Sequence, residues 1–225
     1  MRKNLLTSIA GIIAMFGFAT NLRAETVSER LGSATLVLKE TMDAPDKGIP
    51  QDLLNGAQCI VVVPGVKKAA FVVGGKYGRG FISCRDKNRH WSTPGAVRME
   101  GGSVGWQIGA SETDVVLLVM NEGGMRRLLQ SQFTLGASAD VAAGPVGRNA
   151  SAETDAKMTA QILSWSRSRG VFAGVSLNGA TLREDTDENS ALYGDRLSNR
   201  QIILGNVPAP VLVSEFITTL NRYSQ

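Results

Sequence analysis

Apolar positions follow two different rhythms along the chain. Val27, Leu31, Ala34, Leu38 and Met42 recur every three or four residues. That spacing keeps them on one face of a helix ending near Asp43, with Ser28 as the expected N-cap and Pro45 beyond the end. Pro50 can open a second short helix over 51–57. The rhythm then shifts to compact apolar runs at 59–63, 69–73, 81–85 and 115–120, with 104–110 alternating with glycine. Pro64, Gly74-Gly75 and further turn signals separate them, which predicts short strands in antiparallel meanders.

The second half mixes both rhythms. Asn121 can cap a helix over 122–132, and 137–144 reads as a strand of small residues. The stretch 157–169 fits two patterns: Ala156, Ala160 and Leu163 suit a helix, whereas Ser164-Trp-Ser-Arg-Ser168 alternates like a strand. The strand reading is favoured from Ala160 onward, with a hairpin through Gly170 into 171–177. Short helices are expected over 187–193 and 199–204. Pro210 opens a last helix with Leu212, Phe216, Leu220 and Tyr223 on one face. With no repeat and no Ser/Pro-rich linker, the prediction is one α+β domain over 25–225. Its core is mainly antiparallel and β-rich, flanked by N- and C-terminal helices.

The first 24 residues are read as outside that domain. Arg2 and Lys3 precede a 14-residue apolar run, 5–18, and Leu22-Arg23-Ala24 offers a cleavage site. This is the pattern of a cleaved secretory signal peptide; the run is shorter than the ~20 residues of a membrane span. An uncleaved anchor is the alternative. Cleavage places the protein in the periplasm or outside the cell. It also changes the charge picture. The whole chain has 24 basic and 20 acidic residues; Arg2, Lys3 and Arg23 leave with the leader, so 21 and 20 remain. A near-neutral domain gives no global electrostatic case for nucleic acid.

Two cysteines and one histidine exclude a Cys/His zinc site, haem attachment and iron–sulfur ligation. No metal or other cofactor is expected. In an oxidising compartment Cys59 and Cys84 are candidates for a disulfide, provided that their two strands are neighbours; otherwise they are small buried side chains. His90 lies in the polar segment 85–90, which reads as a solvated hairpin tip, and no nucleophile elbow is present. No catalytic residue is assigned. The Gly-rich segment 74–80 reads as a β-turn with positive-φ glycines, because a nucleotide loop needs a helix after it. Asp185, Asp187 and Asn189 begin like a calcium loop, but Ser190 and Arg196 occupy its sixth and twelfth positions. Cations are locally dense instead. Lys67, Lys68, Lys76, Arg79, Arg85, Lys87 and Arg89 fall on strand ends and turns, and Arg30 and Lys39 flank the stripe of the first helix. Gathered at one edge, such residues attract anionic head groups at about 1 kcal/mol each.

Ordered blocks along the chain resemble a known family. They are Ile49-Pro-x-x-Leu-Leu54, 57–64, Gly74-Gly-Lys-Tyr-Gly78, Trp91-Ser-x-Pro94, Gly101-Gly-Ser-Val-Gly-Trp-Gln-Ile-Gly109, Ala142-Ala-Gly-Pro-Val-Gly-Arg148, Ser164-Trp-Ser-Arg-Ser168, Phe172-Ala-Gly-Val-Ser-Leu177 and Tyr193-Gly194. Spanning 27–223, they are similar to the SYLF domain, as in an exported bacterial member. Eukaryotic members bind phosphoinositide-containing membranes, and some fungal members bind actin. The resemblance therefore implies a non-catalytic lipid-binding module that engages an anionic phospholipid surface. Candidate contacts are Arg30, Lys39, Lys67, Lys68, Lys76 and Arg79, with the first helix lying in the interface. Actin is not expected in that compartment, and a structural or protein-interaction module of the envelope is the alternative.

Overall fold

The computed structural model describes residues 25–44, 48–146, 160–168, 171–174, 177–205 and 207–224, with side chains except at 69–73, 103–110 and 171–172. The expected signal peptide, 1–24, lies outside the described residues, as do Ala156 and the rest of 151–159.

Helix α1 spans Val27–Asp43 and α2 Gln51–Gly56. The N-cap of α1 is Thr26, two residues before the expected Ser28. Its side chain accepts from the Glu29 amide while the Glu29 carboxylate accepts from the Thr26 backbone, a reciprocal capping box. The sequence 59–84 then forms one strand, β1, where three were expected, and Gly95–Val119 forms β2. The two pair antiparallel from Cys59↔Val119 to Ile82↔Gly95. Pro64-Gly65 and the bend near Ala70 do not reverse the chain. Irregularities between Val63 and Val66 and between Ala70 and Val72 absorb them within the ladder. Nor is 74–80 a turn: Gly74 to Gly80 all pair with β2, and the positive φ nearby belongs to Gly65 at 56°.

This long ribbon curls back on itself. Cys59 and Cys84, at opposite ends of β1, are joined as a disulfide with their Cα atoms 3.9 Å apart. Glycines permit the crossing. A Cβ on Gly80 would stand 2.0 Å from the Val62 carbonyl oxygen, and one on Gly78 2.8 Å from Val66 Cγ2 and 2.9 Å from Val63 Cγ1.

The remaining elements extend the sheet to seven strands. They are α3 (Glu122–Leu128), β3 (Gln132–Thr134), β4 (Val141–Ala143), β5 (Ile162–Ser168), β6 (Val171–Gly174), β7 (Thr181–Glu184), α4 (Thr186–Tyr193), α5 (Asn199–Leu204) and α6 (Ser214–Tyr223). Ile162–Ser168 is a strand, as its alternation predicted; it borders β2, and among the described strands only β4 runs parallel to a neighbour, β5. The α+β class with a mainly antiparallel sheet and helices at both ends is thus correct. The helix expected over 122–132 is shorter, because Gln132 already belongs to β3.

Alternation along the strands makes two cores. Ile60, Val62, Phe81, Val116, Leu118 and Trp165 face α1 and α6. Val61, Val63, Ile82, Val97, Met99 and Val115 face the inside of the curl. The apolar stripe of α1, Leu31, Ala34 and Leu38, is buried in the first of these cores, not laid out for an interface. Trp165 ties two sequence blocks together: its Nε1 donates to the Pro145 carbonyl at 2.9 Å, and its ring occupies the space where a Cβ of Gly144 would lie.

Buried amides hold α4 and α5 on the start of β2. Asn189 Oδ1 accepts from the Ala96 amide at 2.7 Å, Asn199 Nδ2 donates to the Ala96 carbonyl at 2.9 Å, and the two side chains bond each other. The Tyr193 hydroxyl donates to the Pro94 carbonyl, and burial raises its pKa above the ordinary phenol value.

Candidate anion-binding site

The six candidate cations separate into two classes. Arg30, which is buried, and Arg79, which is half-buried, are paired with carboxylates inside the fold. Arg79, on β1, places Nε 2.9 Å from Asp185 Oδ2 and Nη1 3.2 Å from Glu188 Oε2. Arg30, on α1, pairs with the other oxygen of Glu188, and its Nε lies 3.3 Å from Glu25. Asp185 caps α4, where its Oδ1 accepts from the Glu188 amide, and it is 1% exposed. Burial disfavours the Arg79 cation, but Asp185, Tyr77 and Glu188 more than offset this, so its pKa is raised above the ordinary guanidinium value. These charges neutralise each other and hold α1, β1 and α4 together. Arg30 therefore drops out as a surface contact: its side chain is 7% exposed and already committed. Lys39 is on the surface, 2.8 Å from Glu215, and links α1 to α6.

The three lysines of β1 divide by strand alternation. Lys67 stands opposite Glu112 and lines a hollow beside α1 that also contains Glu112, Asp114 and Arg167. Lys68 and Lys76 border a different cavity, on the inner face, of about 300 Å³. The ribbon geometry creates it. Gly78 lets the two halves of β1 approach at Val63 and Val66, beside the edge of the inner core. Beyond the pinch the walls separate, with Val66, Lys68, Ser111, Thr113 and Val115 on one side and Lys76 and Met99 on the other. The depth is apolar: Val66, Met99, Val115 and Leu177 are all buried. The rim carries the two ammonium groups and the hydroxyls of Ser111, Thr113 and Ser166. Among the described residues, neither ammonium forms an ion pair with a carboxylate.

The lysines were visible as candidates in the sequence, but the hydroxyls were missed. The signal for Ser166 was the Ser164-Trp-Ser-Arg-Ser alternation, which puts it on the opposite face from Trp165, directly beside Val115.

Other sequence candidates separate in space. His90 sits in the exposed stretch 86–90 of the hairpin loop, with Nδ1 3.8 Å from Asp86. The expected calcium oxygens diverge: Asp185 turns inward to Arg79, Asp187 pairs outward with Arg196, and Asn189 serves the backbone of β2. Among the described residues no cluster of three His, Cys, Asp or Glu could hold a metal. No described helix is long and apolar enough to cross a membrane. Arg126 pairs with Glu122, Arg167 with Asp114 and Glu40, and Arg85 stacks on Trp91.

The architecture is that of a compact α+β module whose curled ribbon presents a polar rim over an apolar cavity. A family model described as Ysc84, Las17-binding protein actin regulator, matches residues 100–223, more than half of the chain. The chain belongs to this family, the SYLF domain family. It is similar to LAS seventeen-binding protein 3 of Saccharomyces cerevisiae, 31% identical over 203 residues, covering 89% of this chain and 44% of that protein. It is 32% identical to protein YSC84 of the same yeast over 193 residues, covering 84% and 41%. SH3 domain-containing YSC84-like protein 1 of Xenopus laevis matches at 31% over 213 residues, covering 92% and 62%. The chain spans about half the length of the curated relatives it matches.

Proposed function

We propose that the protein is an exported, non-catalytic module that binds anionic lipid head groups. One observation carries the reading: Lys68 and Lys76 stand together on the rim of an apolar cavity without a carboxylate partner among the described residues. Three of the other candidate cations are already neutralised, Arg30 and Arg79 by Glu188 and Asp185 and Lys39 by Glu215. A cationic rim beside apolar surface suits an amphipathic boundary, where head group and chain meet. The Cys59–Cys84 disulfide supports an oxidising compartment, periplasmic or extracellular, in agreement with the leader-like sequence of residues 1–24.

Co-sedimentation with phosphatidylglycerol vesicles tests this. Binding is expected to exceed that to phosphatidylcholine and to weaken with added salt, since exposed charges are screened. Equal pelleting with both vesicles, or none with either, would count against it.

A second reading is a protein-interaction module, favoured by the Las17-binding names of the yeast relatives. An exposed apolar segment supplies a surface for it: Leu204, Val211 and Leu212 are 53%, 90% and 41% exposed. Actin or an actin regulator enters only if the protein meets cytoplasm. Retention of a specific protein partner by a column of the protein, unaffected by lipid, would favour this reading.

A further inference from the structure

We infer that the cavity beneath Lys68 and Lys76 is a site for one single-chain anionic amphiphile. The carboxylate or phosphate head sits between the two ammonium groups, and the alkyl chain lies against Val66, Met99 and Val115. This rests on the anionic-lipid reading above and narrows it from a surface to a site.

The chemistry of the rim selects the head. Two lysines without carboxylate partners among the described residues, together with the hydroxyls of Ser111, Thr113 and Ser166, offer donors to an oxyanion. The depth selects the chain. Val66, Met99, Val115 and Leu177 are among the lining residues, so the floor below the rim is apolar and offers water few hydrogen-bond partners. The size selects one chain. A volume of about 300 Å³ falls at the lower end of small-molecule sites, ~300–1,000 Å³, and leaves no room for two long acyl tails. The pinch at Gly78 explains why the space exists. Any side chain there would collide with Val63 and Val66, and residue 101, opposite Lys76, is also glycine.

Calorimetric titration of the full chain with dodecyl phosphate and dodecanoate, kept below micelle-forming concentrations, tests the site. Dodecyltrimethylammonium and inorganic phosphate serve as head and chain controls. The expected result is one-to-one binding of both anionic amphiphiles, at least tenfold weaker binding of the cationic one, and none of inorganic phosphate. Lys68→Gln with Lys76→Gln is expected to weaken dodecyl phosphate binding by about tenfold or more, as charge-assisted bonds are lost. Ser166→Trp fills the rim but leaves both lysines. It is expected to abolish one-to-one binding while vesicle pelleting persists. If its thermal melt by circular dichroism loses cooperativity, Ser166→Leu carries the same test. Indifference to head charge, or undiminished binding in the filled variant, overturns the site. Salt-sensitive vesicle binding without one-to-one binding of dodecyl phosphate overturns the site and leaves the surface reading standing. One-to-one binding without vesicle binding does the opposite.

Discussion

Arg79 and Lys76 are three residues apart on the same strand, yet their charges have different uses. Arg79, itself half-buried, neutralises the buried carboxylates of Asp185 and Glu188 together with buried Arg30. Lys76 stands with Lys68 over an apolar cavity. A buried charge must be matched, because desolvation costs several kcal/mol per ion. A rim charge is already solvated and needs no partner, so it can be spared for a ligand. The lesson is that counting cations in a sequence overstates the available ones; pairing decides which remain.

The largest expected effect is on stability. Glu188→Gln removes the carboxylate shared by Arg30 and Arg79, and the fold is expected to lose about 3–5 kcal/mol in urea unfolding, as for breaking a buried pair. A loss below 1 kcal/mol would show the cluster to be hydrated and the contrast false. Next is the staple that closes the ribbon. Cys59→Ser with Cys84→Ser opens a sequence separation of 25 residues and is expected to cost about 3 kcal/mol, read as a lower melting temperature. The rim is expected to behave oppositely. Lys68→Gln with Lys76→Gln should change stability by no more than about 0.5 kcal/mol. It should weaken binding to anionic vesicles by about 1 kcal/mol per lysine, roughly thirtyfold for the pair. The smallest effect belongs to Lys39→Ala. Its exposed pair with Glu215 is expected to contribute under about 1 kcal/mol, and less in high salt.

Much of the helical frame was legible because caps and periodicity are local. The end of α1 at Asp43, the start of α5 at Asn199 and the position of Phe216 and Leu220 in the core follow from residues within a turn or two. The ribbon was not legible. Pro64-Gly65 and Gly74-Gly75 carry turn chemistry, but β2 runs alongside both and takes them into one ladder as irregularities or plain pairs. That is a non-local decision which propensity does not encode. The site divides in the same way. Local charge density brought out Lys68 and Lys76 among the candidates, and the fold places both on the lining of one cavity. It could not reveal that Arg30 is consumed by Glu188, 158 residues away, or that Ser166 from β5 completes the rim. Nor could it reveal that the apolar face of α1 covers the sheet, which removes that face from any interfacial role.

The most direct test of the account is pelleting of the purified protein with phosphatidylglycerol vesicles at low and high salt, wild type beside Lys68→Gln/Lys76→Gln and beside Lys39→Gln. The account predicts salt-sensitive pelleting of the wild type and of the Lys39 variant, and its loss in the double variant while the melting temperature stays unchanged. Undiminished pelleting of a folded double variant would contradict it, and would move the function away from the rim of the curled ribbon.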